Sequence, residues 1–198
     1  AIKFNQPLDK WNTSNITNME WMFFKAEKFN SDISNWDTSN VTSMERMFSF
    51  AINFNQSVNF DTSKVISMLS MFYSAEKFNQ PLNFDTSNVT DMSYMFRNTK
   101  SFNQALNFNT SNVKKMERIF AYSDNFNQPL NNWDVSKVTN MAGMFESSIF
   151  NQDLNNWNTS NVTDMSYMFS YATRFNQPLN FDTSKVTNMM SMFCNAYN

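Results

Sequence analysis

With 198 residues, a net charge of −2 and an isoelectric point near 5.1, the chain has no basic footprint for nucleic acid. It has no histidine, one cysteine (Cys194) and one glycine, which excludes an internal disulfide and a glycine-rich phosphate loop. No run of 18 apolar residues is present to span a membrane. The 16 methionines and 22 phenylalanines are too many for an ordinary domain. With so little glycine, the turns are expected to use Asn, Asp, Ser and Thr, which bond to their own backbone and tolerate left-handed conformations.

Self-similarity organises the rest. Phe-Asn recurs at Phe4, Phe29, Phe54, Phe78, Phe102, Phe126, Phe150 and Phe175, at spacings of 25, 25, 24, 24, 24, 24 and 25. In step with it run Ser14, Ser39, Ser63, Ser87, Ser111, Ser136, Ser160 and Ser184. Met-Phe follows at Phe23, Phe48, Phe72, Phe96, Phe145, Phe169 and Phe193, with Ile119-Phe120 as the one variant. Residues 1–198 therefore read as a single solenoid of eight tandem repeats of 24–25 residues, without visible capping repeats. The chain begins in mid-pattern, which is compatible with a secretion signal upstream and with a longer array.

Each unit opens on Phe-Asn. Its asparagine is present in every copy: Asn5, Asn30, Asn55, Asn79, Asn103, Asn127, Asn151 and Asn176. A buried amide without a partner costs about 1–3 kcal/mol, so this column predicts an internal asparagine ladder bonded to the adjoining turn. The stretch from Leu to Ser reads as a short strand. Copies with Trp carry one extra residue (Leu8 to Trp11, Ile33 to Trp36, Leu130 to Trp133, Leu154 to Trp157), which reads as a bulge.

After the ring comes a column of Asn12, Asp37, Asp61, Asp85, Asn109, Asp134, Asn158 and Asp182. Stacked carboxylates invite calcium, but interspersed asparagines favour an Asx turn closed onto the following Ser. The Thr beside it (Thr13, Thr38, Thr62, Thr86, Thr110, Thr159, Thr183) forms a single column that an ice surface would have to meet, and Val135 interrupts it. Farther on, Val138, Met141, Met144 and Phe145 stand at i, i+3, i+6 and i+7, the spacing of a short helix. Thr17 and Thr42 precede Glu20 and Glu45 by three residues, as in a capping box. The expected unit is thus one short parallel strand and one short helix, stacked ~4.8 Å apart into a coil on the order of 40 Å long. One unit buries too little to fold alone, so stacking is required.

The string from Trp157 to Phe169, followed by Phe175-Asn-Gln-Pro-Leu, resembles a bacterial surface-protein repeat of about 26 residues. That family occurs in secreted and lipid-anchored surface proteins and is distantly akin to BspA-like leucine-rich repeats. The resemblance covers all eight copies, and it implies a right-handed leucine-rich-repeat-like solenoid displayed outside a cell. It supplies no catalytic residue. Val135 for Thr, Ile119 for Met, Lys114 for Thr and a one-residue deletion before Phe150 depart from the pattern.

No carboxylate pair stands apart from the repeat, so neither a catalytic residue nor a metal or cofactor site is expected. Lys114, Lys115 and Arg118 form the only local cationic cluster, read as a solvated helix face. Three aromatics per repeat fill core positions. The surplus falls on or just after the helices: Trp21, Phe24, Phe50, Tyr73, Tyr94, Tyr122, Tyr167 and Tyr171, with Tyr197 after the last. Surface aromatics mark interfaces, although packing between neighbouring helices would also use them. These eight are the candidate partner-binding residues, because the helix side varies between copies and the asparagine-rich side does not.

The expected function is a non-catalytic extracellular surface repeat segment acting in adhesion or macromolecule binding. Its partner would be a protein or glycan on another surface, or further copies of the same repeat. The alternative is a structural subunit of a cell-surface filament built by head-to-tail stacking.

Overall fold

A computed structural model describes residues 2–197. Every repeat makes one coil, and successive coils are joined by parallel bridges that climb the chain one repeat at a time. They run Asn18–Ser43, Ser43–Ser67, Ser67–Asp91, Asp91–Lys115, Lys115–Asn140, Asn140–Asp164 and Asp164–Asn188. Each bridge lies immediately before the first Met of its unit, outside the Leu-to-Ser stretch where a strand was expected.

The expected leucine-rich-repeat-like coil, with one strand and one helix per repeat, does not form. Among the described residues there is no helix, and no strand longer than these single-residue bridges. The Met-Phe segment shows why. Met141, Gly143 and Phe145 donate their N–H groups to Asp164, Ser166 and Met168 of the next coil. The N–H groups of Met144, Glu146 and Ser148 close four-residue turns onto the carbonyls of Met141, Gly143 and Phe145. With alternate donors committed to the neighbouring coil, a bond four residues back cannot be made. The i, i+3, i+6, i+7 spacing belongs to consecutive tight turns, each burying one apolar side chain. Thr17 and Thr42 cap nothing; instead Thr42 N–H and Oγ1 both donate to Thr17 O across the coils.

The Leu-to-Ser stretch fails as a strand for a related reason. Its polar side chains take the bonds that a backbone ladder would need. Thr38 Oγ1 donates to Asp61 O, Thr62 to Asp85 O and Thr86 to Asn109 O, each in the next coil. Those threonines are buried, so the column faces the interior and offers ice nothing. The extra residue of the Trp copies makes a turn, not a bulge, with Trp36 N–H closing onto Ile33 O. That turn aims the indole so that Trp36 Nε1–H bonds Leu8 O of the coil before, and Trp133 and Trp157 repeat the device with Leu106 and Leu130.

Columns of identical side chains form the core. Phe29, Phe54, Phe78, Phe102 and Phe126 stack in one, with centroids 5.8–5.9 Å apart. Phe23, Phe48, Phe72, Phe96 and Phe120 stack in a second at 5.5–5.9 Å. Within a coil the two columns touch face to face, as at Phe48 and Phe54, 4.1 Å apart. Such spacings lie in or near the range for favourable aromatic pairs. Methionine columns such as Met44, Met68, Met92 and Met116 fill the gaps between rings, as flexible thioethers do well. Val135 sits buried in the threonine column, where its methyls need no acceptor.

Asparagine does form a ladder, but between coils and at the rim. Asn30 N–H donates to Asn5 Oδ1, Asn55 to Asn30, Asn79 to Asn55, and so on up to Asn176 and Asn151. These amides are half-buried or exposed, not internal, and none bonds its own turn through this oxygen. The Asp/Asn column does close Asx turns: Asn12 accepts from Ser14 N–H, Asp37 from Ser39, Asp61 from Ser63 and Asp134 from Ser136. Hydrogen bonds from the Ser hydroxyl and then the Ser N–H hold Asp37, Asp61, Asp85, Asp134 and Asp182 below the usual carboxylate range.

Candidate functional site

Where the Met-Phe turns run, each coil places residues in the left-handed region at two positions four apart. The first position carries Trp21, Arg46, Ser70, Tyr94, Arg118, Gly143, Tyr167 and Ser191, with φ between 49° and 60°. The second carries Lys25, Phe50, Ser74, Asn98, Tyr122, Ser147, Tyr171 and Asn195. Only Gly143 is a glycine, and only Asn98 and Asn195 are asparagines. The expectation that Asn, Asp, Ser and Thr would supply the left-handed residues holds for some coils only. Bulky side chains at positive φ cost of order 1 kcal/mol or more each, and such strain concentrates at functional positions.

Six of the eight expected aromatics form one connected surface over the first five coils. Trp21 meets Phe24 edge-on at 4.8 Å, Phe24 meets Phe50 at 5.9 Å, and Phe50 meets Tyr73 at 4.8 Å. Arginine joins them, although Arg46 and Arg97 are not among the eight candidate residues. Arg46 lies 4.4 Å over Trp21, while Arg97 lies near Tyr73, Tyr94 and Tyr122 at 5.4, 6.0 and 5.2 Å. Lys25 sits over Phe24 and Phe50. These cations are 21 to 72 residues apart along the chain. They share no offset within the repeat, standing two residues after, two before and one after the Phe of their own Met-Phe pairs, so no periodic signal singles them out. The surface encloses a shallow groove of about 280 Å³, lined by Trp21, Phe24, Arg46, Ser49, Phe50, Ser70, Tyr73, Tyr94 and Arg97. Small residues make the dip, because Ser49 and Ser70 are buried where other coils carry rings or arginines.

Tyr167 and Tyr171 stand apart, in the seventh coil. Between them and the patch, the sixth coil places Gly143, Glu146 and Ser147, which interrupts the aromatic column. Tyr171 is 53% exposed and Tyr167 points its hydroxyl at Met190 Sδ, 3.7 Å away. Tyr197 is exposed at the last coil.

Charge divides this face in two. Arg118 is neutralised: its Nε donates to Glu146 Oε2 at 2.9 Å, and Glu117 lies 3.5 Å from its other nitrogen. Tyr122 also donates to Glu146, and Tyr94 to Glu117. Burial first, and then the adjoining glutamate, push both tyrosine hydroxyls above their ordinary pKa, so they remain protonated donors. Among the described residues, Lys25, Arg46 and Arg97 have no carboxylate within 4.0 Å. Lys114 and Lys115, expected as the cationic cluster with Arg118, are exposed, and Lys115 reaches Asp91 at 3.9 Å. No helix among the described residues is long and apolar enough to cross a membrane.

Three overlapping segments, residues 1–107, 82–149 and 105–198, match the family described as Mycoplasma protein of unknown function, DUF285. The chain belongs to that family. Overlapping matches are what tandem units produce, because a DUF285 model can engage the array in more than one register. No curated protein matches the chain. The match establishes a repeat family; the finer resemblance to a 26-residue, BspA-like repeat is not part of it.

Proposed function

We propose that this DUF285 chain is a non-catalytic surface repeat segment that binds another macromolecule through its turn face. The observation that carries the reading is the connected surface of Trp21, Phe24, Arg46, Phe50, Tyr73 and Tyr94. Trp, Tyr and Arg are the residues that dominate binding hot spots. Four of these six occupy left-handed positions that glycine or asparagine would fill with less strain. The resemblance to secreted and lipid-anchored repeats supports an extracellular or cell-surface location. It also supports adhesion as the role, with a protein or glycan as partner.

The test offers the immobilised chain to extracellular-matrix proteins and a surface-glycan array, beside a Trp21→Ser, Phe50→Ser, Tyr94→Ser triple variant. The reading expects a saturable partner whose affinity falls at least about tenfold in a variant that still folds. Loss of binding on Asn83→Ser and Asn107→Ser, with the triple variant unaffected, would assign recognition to the opposite side. Antibody labelling of intact producing cells tests the location, and signal only after permeabilisation contradicts it.

A second reading, a filament of stacked coils, has its own observation. The outermost coils leave Trp11 and Met22 exposed on one side and Met189 and Phe193 on the other. A further coil of the same kind, in a continuation of this chain or in another copy, would cover either. A mass in solution that stays monomeric up to high protein concentration counts against assembly by this chain.

A further inference from the structure

The groove contains two groups that the protein itself leaves unsatisfied. Ser49 is fully buried on its lining, and its Oγ has no hydrogen-bond partner. Arg97 Nε is likewise buried and unpaired, because tyrosine rings cover the guanidinium without accepting from it. Orphaned buried donors are uncommon. Ser49 Oγ is closed off from solvent, whereas the Arg97 side chain is only half-buried and lacks the charge-assisted partner that a carboxylate gives. Arg46, stacked on Trp21, has no carboxylate partner either. Arg118 on the same face has its two glutamates, so this chain can neutralise a turn-face arginine and does not do so at the groove.

From these groups we infer that the groove binds an acidic peptide segment, with carboxylates on Arg46 and Arg97 and an apolar side chain between them. The inference rests on the turn face being the recognition surface and names the ligand it takes. Arg46 and Arg97 belong to coils two repeats apart, a rise of about 10 Å at ~4.8 Å per coil. In an extended peptide, residues i, i+2 and i+4 share a face, and the outer two are ~13 Å apart at their backbones. Two flexible carboxylate side chains close that difference, and the middle one lies over Phe50 and Tyr73. Arginine's planar fork suits carboxylate bidentately, and stacking on Trp21 and the tyrosines fixes its orientation in advance. A neutral apolar peptide would leave both guanidinium groups unpaired.

The probe is the blocked peptide Gly-Ser-Glu-Ser-Leu-Ser-Glu-Ser-Gly, titrated against the whole chain by calorimetry or fluorescence at low and high salt. Binding with a dissociation constant below about 1 mM is expected, weakened by salt. Replacing both peptide glutamates by glutamine should weaken it about tenfold or more, as should Arg46→Gln or Arg97→Gln. Arg118→Gln should change it little. No binding of the acidic peptide, equal binding of its glutamine form, or indifference to both arginine variants would overturn the assignment. So would an oligouronate binding where the peptide does not, because it would make the ligand a glycan. If the peptide fails while a matrix partner still depends on Trp21 and Tyr94, the ligand assignment falls and the turn-face reading stands.

Discussion

The two sides of each coil solve the same problem, pairing with the next coil, by different chemistry. On the asparagine-rich side the side chains make the bonds. Asn Oδ1 accepts from the next coil's Asn N–H, Thr Oγ1 donates to the next coil's carbonyl, and Asn40 Nδ2 reaches back to Ser14 O. On the turn face the backbone does it in every coil, as in Trp21 N–H to Glu45 O, Phe23 to Met47 and Lys25 to Ser49, and side-chain bonds such as Tyr122 to Glu146 are added only in some. A side chain that bonds coil to coil changes only with loss of that bond, as at Val135. One that only rides on a paired backbone is free to differ. The monotony of one side and the variety of the other therefore have a single structural cause, and the variable side is where recognition can be built.

Substitutions that hit one side or the other break or sharpen this contrast. The largest effect is expected from Asn79→Ala, because Asn79 Oδ1 accepts from both Asn103 N–H and Gln104 Nε2. It should lower stability by about 1–3 kcal/mol in urea melts, and an unchanged midpoint would show that the ladder holds nothing together. A smaller loss, about 1 kcal/mol, is expected from Gly143→Ala on the turn face. Gly143 has φ of 60°, and an added Cβ would come within 2.7 Å of Arg118 Cγ. The variant should also disturb the Arg118–Glu146 pair, visible as a change in the Tyr122 environment. A neutral outcome would show that the turn face accepts a Cβ at this position without strain.

The smallest effect concerns acid. Asp61 has its folded pKa held below 3.8 by bonds from Ser63, so its contribution is present above the unfolded pKa and fades as pH falls through the folded value. Asp61→Asn should keep the turn, as Asn109 does in the equivalent place, and leave stability near neutral pH almost unchanged. Below about pH 4 the variant should lose less stability than the parent. Identical acid melts would mean that these Asx bonds are equally strong with a protonated acid.

The sequence alone determined the repeat length, the columns and the apolar residues inside the stack, but not that the asparagine column lies at its rim. Phe, Met, Val and Leu recur in step because a stack has the same interior at every level, so periodicity and burial coincide. The Asx turns were also legible, since their donor and acceptor lie two residues apart. Helix or successive turns was not legible, because both bury residues at spacings of three and four. The choice is made by alternate N–H groups such as those of Gly143 and Phe145, whose acceptors lie 23 residues away in the next coil. The groove was out of reach for the same reason. Arg46, Ser49 and Arg97 are spread over 52 residues of chain, and only stacking in register brings them to the lining of one groove.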